Sequence, residues 1–169
     1  MENSKAIEYR SQLDKLEKEL SNVKNKKERE QLEQQIEKLY KEKIFKEFDS
    51  DIETKTVENI DEQSILFSEF FGRYLVFLDL STSQIRNVYG EVLKLKMKGF
   101  DKNGLLLLKP HLAYSTERKG TEGSKEFRKI IEKALDKVIF STEKQEERFQ
   151  NFANFFEAIL AYHRSFGGK

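Results

Sequence analysis

Hydrophobic positions recur at helical spacing along nearly the whole chain. Leu13, Leu16, Leu20 and Val23 follow 3-4-3 steps, and Leu32, Ile36 and Leu39 resume the pattern in a shifted phase. That is the apolar stripe of an amphipathic helix, broken once. The break falls in Asn22–Lys27, where Asn22 and Asn25 suit one helix end and a new start. Residues 1–48 therefore predict a coiled-coil or helical-hairpin extension. Residues 49–60 are polar, acidic and aperiodic. They predict a linker open to protease.

From residue 61 onward the pattern predicts a compact helical bundle, so the expected fold is all-α. Phe67, Phe70, Phe71, Tyr74 and Leu78 recur at helical steps, although the β-branched and aromatic end Tyr74–Leu80 also suits a short strand. Ser81 with Gln84 three residues later forms a capping-box pattern opening a helix to about Met97. Gly99–Gly104 reads as a turn. Pro110 then either kinks a helix or sits in its first turn. Thr116–Gly123 reads as a mobile loop, and Ser124 as the cap of the helix carrying Phe127, Ile130, Ile131, Ala134, Leu135 and Val138. Ser141–Phe166 places Phe149, Phe152, Phe156, Ile159 and Leu160 on one face, and Gly167 terminates it. This aromatic helix predicts the centre of the core.

Composition narrows the function classes. The chain has no cysteine, which excludes disulfides, thiolate metal sites and a cysteine nucleophile. No apolar run approaches the roughly 20 residues of a membrane span, so a soluble cytoplasmic protein without a membrane partner is expected. Two histidines offer little chemistry. His163 falls on the aromatic face and reads as a hydrogen-bonded core residue, while His111 follows Pro110 on a more exposed segment where it could meet a phosphate, without an evident second group. No metal-ligand spacing, phosphate-cradling glycine loop or serine elbow is present. The chain reads as a non-enzyme with neither cofactor nor metal.

Charge changes the picture. The formal net charge is +1, yet Ser81–Gly120 holds eight Lys/Arg against three acids, while Lys46–Leu80 holds three against nine. A local basic face usually has an anionic partner. At 100° per residue Ile85, Val88, Tyr89 and Val92 share one side of the helix after Ser81. Arg86, Gly90, Lys94 and Lys98 descend the other. Three cations a turn or two apart suit a polyanion backbone, and Gly90 leaves room for a phosphate or for a neighbouring helix. Lys96 projects to the apolar side and must snorkel out if the helix continues. Lys109, Arg118 and Lys119 add further charge, and Tyr114 among them reads as a stacking ring for a base or sugar, or as a core tyrosine. No base-reading signature accompanies these residues, so the pattern supports backbone contact only.

Three segments carry a family resemblance: STSQIRNVYGEVLKL (Ser81–Leu95), LLKPHLAY (Leu107–Tyr114) and FFEAILAYHRSFGGK (Phe155–Lys169). In order and separation they resemble the small subunit of the type III-A, or Csm, CRISPR effector complex. The likeness runs from about Ile65 to the C-terminus. It implies an all-helical subunit without catalysis, several copies of which stack in a filament beside the backbone subunits and line the channel holding guide RNA paired with target RNA. Cleavage and signalling would then belong to the backbone and large subunits. By position, the resemblance assigns RNA contact to Ser83, Gln84, Arg86 and Asn87, and in the second block to Lys109 and Tyr114. Glu117 stands before Arg118 where the family often has glycine. The competing class is a coiled-coil adaptor or dimerisation protein acting through residues 1–47.

Overall fold

The computed structural model describes residues 1–117 and 120–169, and among them holds eight α-helices and no strand. The chain divides into two compact units, Met1–Ser50 and Asp51–Lys169.

In the first unit α1 (Asn3–Asn22) and α2 (Lys26–Lys38) pack together as a helical hairpin. The reversal lies between the two predicted asparagines: α1 ends at Asn22, and the Asn25 side chain accepts from Lys27 N–H, capping α2. A π-helical turn (Leu39–Ile44) and a 3₁₀ turn (Phe45–Glu47) follow. They bring Glu47 to α1, where Lys5 donates to it at 2.9 Å and Tyr9 at 3.4 Å.

The second unit begins with a departure from expectation. Within the stretch read as a linker, Ile52–Glu58 forms α3 and packs on later helices, chiefly the last two. Ile52 and Val57 are buried, and the buried Glu53 carboxylate accepts from Lys133 at 2.8 Å. Seven residues are too few to hold a helix alone. The apolar pair and the ion pair stabilise α3 only once its partners are in place.

Helix α4 (Glu62–Phe77) opens on a capping box in which Asp61 accepts from Ser64 N–H at 2.8 Å. Its end is helical, not a strand, because Tyr74 and Leu75 are buried inside the bundle, which overrides their β-propensity. Leu78–Leu80 then turn through Asp79 at φ 55°. Helix α5 (Thr82–Lys98) and helix α6 (Lys102–Glu117) pack against each other, with Pro110 inside α6. Helix α7 (Glu122–Ile139) is capped by the Thr121 hydroxyl, which accepts from Ser124 N–H at 3.2 Å. Ser124, expected as the cap, is instead buried one turn in.

Helix α8 (Gln145–Ser165) is the centrepiece, touching α3, α4, α5 and α7. Phe149, Phe152, Phe155 and Phe156 are all buried. Its closest partner is α4, and Gly72 permits the approach: a Cβ there would stand 2.9 Å from His163 N and Ile159 O. The helix ends at Gly167, whose φ of 90° suits glycine.

His163 is fully buried, as its place on the aromatic face predicts. With Nε2 protonated, the ring donates to the Leu80 carbonyl at 2.8 Å, leaving Nδ1 to accept from the Thr82 hydroxyl at 3.4 Å. Burial lowers its pKa against the raising effect of the Leu80 bond. The unfolded chain therefore takes up a proton near pH 6.5 that the folded chain refuses. This stability is complete above about pH 6.5 and is lost as pH falls toward the folded pKa. Glu47, Glu58 and Glu91 have lowered values, so their contributions fade only below about 4.5. Thermal unfolding should thus show a fall in stability between pH 7 and 5 that His163→Gln flattens. An identical slope in the variant would remove His163 as its source.

Candidate nucleic-acid interface

Helix α5 begins where the sequence places it, but not by the expected cap. The Ser81 hydroxyl donates to the Gln84 side-chain oxygen at 2.9 Å, and no side-chain bond caps the backbone. Gln84 is buried and its amide donates to Ser124 of α7 at 3.1 Å, while Ser115 of α6 donates to the Gln84 carbonyl at 3.2 Å. Gln84, assigned to RNA contact by position, thus ties three helices together. Lys169 secures the same helix start, since Thr82 N–H donates to its backbone oxygen at 2.5 Å.

The inner face of α5 is fixed to α8. Ile85, Val88 and Val92 are buried, and the Tyr89 ring stacks on Phe156 at 5.4 Å. Burial first, and then Glu157, push the Tyr89 phenol up to about 12. Lys96 leaves the apolar side as predicted: its ammonium donates to Asn154 at 2.8 Å and lies 4.0 Å from Glu157.

The outer face carries Ser83, Arg86, Asn87, Lys94 and Lys98, all exposed. Arg86 and Lys98 have no ion-pair partner among the described residues. Lys94 does: it donates to Glu91 at 2.6 Å, which holds the Glu91 carboxyl below its usual value, with the charges of His111 and Lys98 adding to the effect. The stripe is therefore partly neutralised within its own helix. Open space surrounds Gly90, so among the described residues no neighbouring helix accounts for it.

Between α5 and α6 lies a groove of about 530 Å³, lined mostly by polar side chains. Ser83, Asn87 and Glu91 face it in steps of four from α5, and His111, Tyr114 and Ser115 from α6. Tyr114 stands 74% exposed at its edge, which settles that it is not a core tyrosine. Glu91 and Ser115 are additions that the sequence reading did not assign. The row 83–87–91 was the available signal for the first, and the pairing of α5 with α6 decides the second.

Lys109 separates from this group. Its ammonium is held by Asp136 at 2.6 Å and Glu132 at 3.7 Å, on the side of α6 that meets α7. Arg118 and Lys119 lie outside the described residues. No helix of the described residues is long and apolar enough to cross a membrane, and they hold no cluster of three His, Asp or Glu suited to a metal.

The family model described as Csm2 Type III-A matches residues 58–169. The chain belongs to that family. No curated protein and no solved structure matches it. The match bears out the resemblance read from the three sequence blocks, and membership makes the chain a small, structural subunit of the type III-A CRISPR effector complex. It joins the other subunits of the Csm complex. The Csm2 match covers α4–α8, and with them the basic face and the groove, while leaving the N-terminal hairpin outside. The third sequence block is largely interior: Phe155, Phe156, Ile159, Leu160 and His163 are buried.

Proposed function

We propose that this Csm2-family subunit binds the guide–target RNA along its phosphate backbone through the outer face of α5. The observation that carries this reading is the pair of exposed cations Arg86 and Lys98, without ion-pair partners among the described residues, on the family-matched helix. Ser83 and Asn87 lie between them around the helix and supply neutral hydrogen-bonding groups. A subunit that serves any guide sequence gains from contacts that carry no base information, so phosphate is the fitting target for the stripe. Copies of the subunit stack in a filament beside the backbone subunits, in the cytoplasm, in defence against viruses and plasmids. The subunit has no catalytic role of its own, and cleavage belongs to its partners. A coiled-coil adaptor acting through residues 1–47 draws no support from a family match that starts at residue 58.

Photo-crosslinking tests the assignment. In a complex assembled with guide and target RNA containing 4-thiouridine, crosslinked peptides should come from Thr82–Lys98 and its neighbour Lys102–Glu117. Crosslinks confined to the N-terminal hairpin or α7 would overturn it.

A further inference from the structure

The groove beside the stripe has a chemistry of its own. Glu91 holds a negative charge on its wall, stabilised by Lys94 at 2.6 Å. A carboxylate repels phosphate, so the groove itself is a poor seat for the RNA backbone. It is a good seat for an N–H donor, since an ionised carboxylate is acceptor only. Opposite, on α6, Tyr114 presents a ring that makes no ring contact with any described residue and stands 74% exposed. Asn87, also facing the groove, has no hydrogen-bond partner among the described residues, and His111 and Ser115 complete the polar wall. Around α5, the row Ser83–Asn87–Glu91 adjoins the row Arg86–Gly90–Lys94, so a strand held on the cations passes directly over the opening.

We propose that the α5–α6 groove receives an unpaired nucleobase bearing an exocyclic amino group, stacked on Tyr114 and donating that amino group to Glu91. This rests on the reading of α5 as an RNA-backbone face and concerns an unpaired base alone: the paired guide–target bases stay unread, and the groove adds a preference only at a base outside the pairing. Cytosine presents an amino group where uracil presents a carbonyl, and the two pyrimidines are alike in size. The carboxylate accepts from the first and repels the second.

The test uses the full chain and three fluorescein-labelled twelve-nucleotide strands: oligocytidine, oligouridine and an abasic strand of equal length. Anisotropy should show oligocytidine bound about 10- to 150-fold more tightly than oligouridine, as one charge-assisted contact predicts. Glu91→Gln removes the charge and frees Lys94, so affinity for every strand rises, but the cytidine-to-uridine ratio should collapse toward one. Tyr114→Ala should weaken oligocytidine by about 5- to 150-fold, the range for one lost base stack, and the abasic strand by less than about twofold. Tyr114→Phe should keep the stack and the affinity. Because Tyr114 is exposed, its variants should melt as the wild type does. Equal losses for all three strands on Tyr114→Ala, or none, would overturn the base-binding groove. A cytidine-to-uridine ratio unmoved by Glu91→Gln would overturn its selectivity. The backbone reading stands or falls separately: it fails if Arg86→Ala with Lys98→Ala leaves the abasic strand bound as before. Binding of no strand at low salt overturns both.

Discussion

Phe156→Ala should lower the stability of the helical bundle by about 3–5 kcal/mol. Phe156 is fully buried on α8, and three other rings converge on it. Tyr89 of α5 stacks at 5.4 Å, Phe127 of α7 meets it edge-on at 5.5 Å, and Phe152 of its own helix lies edge-on at 6.2 Å. Truncation removes apolar area from the point where α5, α7 and α8 meet and leaves a cavity bounded by stiff aromatic rings that collapse poorly. Both terms add to the loss. At about 2–4 °C per kcal/mol for a chain of this size, the midpoint of thermal unfolding should drop by about 6–20 °C. The Phe156 ring also supports Tyr89, on the inner face of the helix whose outer face carries Arg86 and Lys98. RNA affinity should therefore hold at low temperature and be lost above the lowered midpoint, as the folded fraction disappears. A loss below about 1 kcal/mol by calorimetry would mean that the core repacks around the gap and that Phe156 is not its hub.

Replacing Arg86, Lys94 and Lys98 together with Ala should weaken RNA binding to a similar degree for unrelated sequences, because phosphate contacts do not read bases. The sensitive readout is salt. Each phosphate contact to a single strand contributes about 0.7 to the slope of log affinity against log salt, so three lost contacts should flatten it by roughly 2. The structure divides this effect unequally. Arg86 and Lys98 are without ion pairs among the described residues, and Arg86→Ala with Lys98→Ala alone should remove about 1.4 of the slope. Lys94 is already partly neutralised by Glu91, so its own share should be smaller than that of a free cation. All three side chains are exposed, and the variant should melt within about 1 °C of the wild type, as surface changes usually do. An unchanged slope in a folded triple variant would reduce the stripe to ordinary solvated charge.

Periodicity was enough wherever a helix is long and its apolar positions repeat. The stripe of α7, the aromatic face of α8 and the hairpin break between Asn22 and Asn25 are local patterns. A helix of many turns selects its buried side from spacing alone. The three blocks that carry the family resemblance sit on such elements, so the family was legible too. His163 could be read as a core residue for the same reason, because its position on a strongly apolar face decides its surroundings.

Other features required the chain to be folded. Helix α3 was hidden because seven residues cannot hold a helix unaided; the packing of Ile52 and Val57 and the bond from Lys133 to Glu53 settle its state. For Gln84, which lines the α5–α6 groove, packing added a second role: its amide donates to Ser124, forty positions away in sequence. The basic excess of Ser81–Gly120 was the strongest charge signal, yet much of it is answered across the fold. Asp136 and Glu132 hold Lys109, and Asn154 and Glu157 hold Lys96, whereas Lys94 is held within its own helix by Glu91. Charge counted along a chain says how many cations a segment has. Which of them remain open to a phosphate depends on the carboxylates that other helices bring within about 4 Å, and that distance is set only by packing. The groove between α5 and α6 is the same case: each wall is a row of polar residues on one helix, and the groove exists only because the buried faces of the two helices bring those rows together.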